Sequence, residues 1–81
     1  MDRTEYLKLC QKVSMLSNNV CETIKDVPSE LLVELDGINY YPVEFKITFR
    51  QGKQINVAIL HDLKSPMIIR ASVERINYAK R

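Results

Sequence analysis

The chain has no tryptophan, one histidine, two cysteines and only two glycines in 81 residues. Each shortage removes a class of function. Two glycines cannot build a phosphate-cradling glycine-rich loop, and no lysine-containing P-loop pattern occurs. Cys10, Cys21 and His61 fall short of the four closely spaced ligands of a structural zinc site, so neither metal nor cofactor is expected. The two cysteines are eleven positions apart. On one helix that is about 16 Å of rise, against the ~7 Å a disulfide tolerates. They read as reduced thiols of a cytoplasmic protein. No apolar run approaches the ~20 residues of a membrane span. The opening Met-Asp-Arg-Thr-Glu lacks the basic start and apolar run of a signal peptide. Lipidation signals are missing too, with no glycine after Met1 and no cysteine near the C-terminus. A cytoplasmic location without a membrane partner is the expectation.

Catalytic pairings are equally scarce. His61 and Asp62 are the only histidine-carboxylate neighbours, and adjacent residues of an extended segment point to opposite sides. No local pattern singles out Ser14, Ser17, Ser29, Ser65, Ser72 or a cysteine as a nucleophile. His61 reads as a surface loop residue, and neither enzymatic activity nor a small-molecule substrate is expected.

What the chain does contain is a switch of hydrophobic period at Pro28. Before it, Tyr6, Leu9, Cys10, Val13, Leu16, Val20 and Ile24 recur at helical spacing and form one stripe. Asp2 and Glu5 resemble a capping box at the start. Val27, held out of helical geometry by the following proline, marks the end. A helix over about 2–25 is predicted, with Asn18-Asn19 as its weak point. After Pro28 the apolar residues alternate at strand spacing. Leu31, Val33 and Leu35 predict a first strand, although Pro28-Ser29-Glu30 is also compatible with a short helical turn. Asp36-Gly37 then predicts a two-residue hairpin pairing Leu35 with Ile38 and Val33 with Tyr40. The apolar phase is even at Ile38 and Tyr40 but odd at Val43, Phe45, Ile47 and Phe49. One register slip, a bulge or bend at Tyr41-Pro42, reconciles the two. At Gln51-Gly52-Lys53, matching of apolar phases favours a three-residue loop that pairs Phe49 with Ile55, Ile47 with Val57 and Phe45 with Ile59. A final strand carries Met67, Ile69, Ala71 and Val73 on one face, and the chain is expected to leave the sheet near Ile76. The predicted fold is a single α+β domain spanning 1–81, a helix packed on a strongly bent four-stranded antiparallel sheet over about 31–73. An SH3-like half-barrel is one form such a bent sheet takes.

Charge is unevenly distributed. Residues 1–42 carry four Lys/Arg against seven Asp/Glu, and residues 43–81 carry eight against three. In the predicted register Lys46, Thr48, Arg50, Lys53, Asn56 and Arg70 form a basic outward strip, a candidate nucleic-acid surface. Tyr41 offers a stacking ring. Both Phe residues point inward, however, so no aromatic platform interleaves the charges. A second candidate surface is apolar: Leu7 and Met15 lie off the helix stripe, and Leu32 and Leu60 fall on the outward face of the predicted sheet. A chain this small, without metal or disulfide framework, has little core to spare. A homo-oligomer or a protein partner is therefore expected, with an open sheet edge as a further place for a partner strand. Nucleic acid is the alternative partner.

The runs Asp36-Gly37, Tyr41-Pro42 and Ala58-Ile-Leu-His-Asp-Leu-Lys64 resemble short uncharacterised proteins encoded by prophages and other mobile elements. The resemblance covers the C-terminal half. It implies an accessory protein and carries no catalytic residue or ligand.

Overall fold

The structure, a computed structural model, describes residues 1–19 and 27–79. Helix α1 spans Arg3–Asn19. The expected continuation to 25, with Val20, Cys21 and Ile24, lies outside the described residues. Asp2 caps the helix by accepting the Glu5 backbone N–H on Oδ1 at 2.9 Å, satisfying one of the donors that every helix start leaves free. Tyr6, Leu9, Cys10 and Val13 form its buried face, as the stripe predicts, but Leu16 is 38% exposed.

Five antiparallel strands follow: β1 (Val33–Leu35), β2 (Ile38–Arg50), β3 (Lys53–Asp62), β4 (Ile68–Ser72) and β5 (Asn77–Tyr78). They lie in the order β4-β3-β2-β1-β5. Ser29–Leu31 forms a three-ten turn, so the first strand begins only at Val33. The β1–β2 hairpin has the predicted register, Leu35 opposite Ile38 and Val33 opposite Tyr40. Asp36 and Gly37 both take positive φ, 52° and 84°, which suits a tight hairpin turn.

The fifth strand corrects the expected four. A three-ten turn at Val73–Arg75 carries the chain from β4 round to β1, where Glu34 pairs with Asn77 and Val33 with Tyr78. The turn resets the apolar phase, so Ile76, which breaks the alternation of β4, is fully buried. The Met1 ammonium donates to the Ile76 carbonyl at 2.8 Å and ties the segment before α1 to the segment entering β5.

One core unites the helix and the sheet. Tyr6, Leu9 and Cys10 pack with Val33, Leu35, Tyr40, Ala58, Leu60, Ala71, Val73 and Ile76. A smaller cluster joins Val13 to Leu32 and Tyr41. The expected register slip in β2 is present, one residue beyond the predicted dipeptide: pairing with β3 shifts between Pro42 and Glu44, leaving Val43 as the extra residue. There the tertiary structure adds something the periodicity does not contain. The Tyr6 hydroxyl donates to the Ile59 carbonyl at 2.7 Å while the Val43 backbone N–H faces the same hydroxyl. A helix side chain thus fills the hydrogen-bonding gap that a bulge opens in the ladder.

Candidate functional site

Beyond the bulge, β2 and β3 run on as a projecting arm, and the molecule is correspondingly long, 40 × 26 × 22 Å. β1 pairs with β2 only over Ile38–Tyr40, and β4 pairs with β3 only over Val57–His61. From Ile47 to Asn56 the sheet is therefore a two-stranded ribbon, and the outer edge of β2 has no strand beside it from Tyr41 to Arg50 among the described residues.

The register of this arm differs from the predicted one. Gln51 and Gly52, at φ 52° and 77°, form a two-residue turn, with Arg50 opposite Lys53, Phe49 opposite Gln54 and Ile47 opposite Asn56. Phase matching argued against this pairing, because it sets a phenylalanine against a glutamine. Its pull vanishes at the tip, where both faces meet water. The turn then decides, since two residues with positive φ match the right-handed twist of the flanking strands.

The new register redistributes the strip residues. Directly opposed residues share a face, which puts Lys46, Thr48, Arg50 and Lys53 on one side of the arm together with Ile55, Val57 and Ile59. Arg70 joins them through its pairing with Ile59, and Ser72 through Val57. Asn56 is not part of the strip. It sits on the opposite face across from Ile47 and lines a hollow with Met1, Asp2 and Val73 near the start of α1. The strip is accordingly a groove of about 510 Å³ with an aliphatic floor on β3 and cationic rims on β2 and β4. Among the described residues the only ion pair joins Arg75 to Asp36, 3.1 Å apart and distant from this groove in the strand order. Lys46, Arg50, Lys53 and Arg70 thus keep their charges available, with Glu44 beside them as a single opposing carboxylate.

The opposite face of the arm is apolar and largely uncovered. Phe45 is half-buried against the core, but Ile47 is 46% and Phe49 71% exposed. The expected inward set of β2 thus holds for Phe45 alone, because the apolar core under α1 reaches Phe45 but not Ile47 or Phe49. Of the four predicted interface residues, Leu7 and Met15 are exposed on α1. Leu60 is fully buried in the main core and Leu32 is buried beside Val13 and Tyr41, so neither offers a docking surface.

Several of the candidate reactive groups are engaged structurally. His61 lies in β3 rather than in a loop, its ring stacked on Tyr41 with centroids 4.7 Å apart. Its Nδ1 is 2.7 Å from the Asp62 carbonyl, which can only accept, so this nitrogen carries the proton. The Asp62 carboxylate turns away to accept the Lys64 N–H at 2.8 Å. Tyr41, buried and already stacked, has no free face for a base. Burial pushes the Cys10 thiol up to about 11, with Glu44 adding to the shift and the Tyr6 hydrogen bond opposing it. Near neutral pH it is a protonated core residue and a poor nucleophile. Burial likewise drives the Tyr6 phenol far above its ordinary range, with Cys10 reinforcing and the Val43 N–H opposing. Among the described residues no three His, Cys, Asp or Glu side chains gather into a metal site, and no helix is long and apolar enough to cross a membrane.

Two features escape sequence reasoning: the aliphatic floor Ile55, Val57 and Ile59, hidden by the register, and the Tyr6 hydroxyl. For Tyr6 a signal exists, since a tyrosine in the core stripe of a helix must find a partner for its hydroxyl. No protein-family model, curated protein or solved structure matches this chain.

Proposed function

We propose that the chain is a small non-enzymatic interaction module that self-associates through the β2–β3 arm. The observation that carries this reading is the exposure of Ile47 and Phe49 on a ribbon only two strands wide. A two-stranded ribbon is at best marginally stable in water, and apolar side chains on it gain most from a protein surface that covers them. The accessory role implied by the mobile-element resemblance, and a cytoplasmic setting, fit the same reading. The bent β2 and the three-ten turn between β4 and β5 support an SH3-like half-barrel as its scaffold.

Sedimentation equilibrium of the full chain tests this reading. Self-association is expected, and replacing Phe49 by Ser together with Ile47 by Asn should abolish it. Replacing Leu7 and Met15 by Glu should leave it intact. A wild-type chain that stays monomeric at every concentration overturns the proposal.

A second reading rests on the groove with its three cations and Lys53 at the neighbouring turn: a nucleic-acid surface in which Lys46, Arg50, Lys53 and Arg70 neutralise phosphates. Fluorescence anisotropy with labelled single- and double-stranded DNA and RNA across a salt series tests it. Binding that weakens steeply with salt and is lost in a Lys46→Glu, Arg50→Glu variant supports the groove. Flat traces at low salt remove it.

A further inference from the structure

We infer that the free edge of β2 pairs antiparallel with the same edge of a second copy, in a register centred on Ile47. The inference rests on the self-association proposed above and specifies how it is achieved.

Backbone geometry supplies the first argument. In a two-residue hairpin turn the flanking residues, here Arg50 and Lys53, exchange the turn hydrogen bonds. Hydrogen-bonded and non-hydrogen-bonded pairs alternate along an antiparallel ladder. Thr48, Lys46 and Glu44 therefore direct their backbone groups toward β3, while Phe49, Ile47 and Phe45 direct theirs outward from the β2 edge. These three residues carry the apolar face of the arm. The N–H and C=O groups that need a partner and the side chains that need covering belong to the same residues.

Charge selects the register. Two identical strands related by a two-fold axis normal to the sheet must set some residue of one opposite the same residue of the other. With Ile47 at the centre, Phe45 faces Phe49, Lys46 faces Thr48 and Glu44 faces Arg50, each pair occurring twice. Every apolar residue meets an apolar residue and every acid a base. Centring on Lys46 sets that lysine against itself, and centring on Thr48 sets Lys46 against Arg50. Centring on Phe45 runs the bulge residue Val43 into the ladder, and centring on Phe49 places Ile47 against the turn residue Gln51. Only the Ile47 register is free of like charges, the bulge and the turn. It joins the two arms edge to edge into a continuous four-stranded sheet with the two β2 strands in the middle, in which Phe49 of each copy packs beside Phe45 of the other.

Charge reversal tests the pairing in the full-length protein by sedimentation equilibrium. Glu44→Arg alone and Arg50→Glu alone each set like charges opposite one another at both symmetry-related pairs. Each should weaken the dimer about tenfold or more, and the double variant should restore it. Cross-linking supplies a second measurement, which reads the position of the contact rather than the strength of the dimer. Hydrogen-bonded partners have Cα atoms about 5.5 Å apart, within disulfide range. Oxidation of an Ile47→Cys variant should therefore give a dimer linked at position 47 by peptide mapping. A Phe49→Cys variant should not link to itself, because its two copies lie about 13 Å apart along the strands. A dimer insensitive to both single reversals, with no preference for linkage at position 47, overturns this pairing but leaves self-association standing. A chain that is monomeric throughout overturns both.

Discussion

Replacing Tyr6 by Phe removes one oxygen from a buried site beside the β2 bulge. The hydroxyl sits beneath α1 at the β2 bulge, donating to the Ile59 carbonyl at 2.7 Å and facing the Val43 N–H. The ring is fully buried and is retained in the variant, so the apolar packing of the core is unchanged. What is lost is the hydrogen bond, and what is left behind is the buried Ile59 carbonyl without this partner, beside the extra residue of the strand. Leaving such groups unsatisfied costs about 1–3 kcal/mol. Urea unfolding followed by circular dichroism reads this directly, at one fixed protein concentration because association contributes to apparent stability. With a slope of about 1 kcal/mol/M for a chain of this size, the midpoint should fall by roughly 1–3 M without a change in slope. Tyr40→Phe is the matched control: Tyr40 is also buried, but its hydroxyl makes no hydrogen bond among the described residues. Its cost should stay within about 0.5 kcal/mol. Equal shifts for the two variants would refute the idea that Tyr6 completes the bulge.

Other consequences follow from burial and backbone geometry. Leu60→Ala, at a fully buried position on the interior strand β3, should cost about 2–5 kcal/mol in the same unfolding assay. Gln51 holds a left-handed conformation that asparagine tolerates better, so Gln51→Asn should raise stability by about 0.5–1 kcal/mol, whereas Gly52→Ala should lower it by about 1–2 kcal/mol. The thiol of Cys10 is raised from 9.0 in the unfolded chain to about 11 in the fold. The folded state therefore holds this proton more tightly, and the associated stability is complete below pH 9 and is lost as pH rises toward 11. Tyr6, raised in the same direction, extends the loss to higher pH. The thermal midpoint should therefore decline across this alkaline window, less steeply in Cys10→Ala, and an identical slope in the two proteins would count against the assignment.

Much of the fold is legible in the sequence because it is decided by neighbours. The helix stripe from Tyr6 to Val13, the Asp36-Gly37 hairpin with its register, and the phase slip near Pro42 each depend on residues a few positions apart, where side-chain period and turn chemistry act directly. The candidate site was only partly legible. Lys46, Thr48, Arg50, Lys53 and Arg70 share a face as expected, but Asn56 is on the other side and Leu32 and Leu60 are buried. These differences trace to contacts between residues distant in the chain. At the arm tip no core enforces the apolar phase, and the Gln51-Gly52 turn sets the pairing. At the C-terminus a three-ten turn returns Asn77–Tyr78 to β1 through an encounter with Val33 and Glu34 that local periodicity cannot encode. The sequence alone therefore determined the helix, the hairpin at Asp36-Gly37 and the bend in β2, since hydrophobic period and turn preference are properties of adjacent residues. Tertiary structure alone decided which strand covers β1, where α1 stops shielding β2, and which side chain completes the bulge, because those outcomes depend on surfaces that exist only once the chain has folded back on itself.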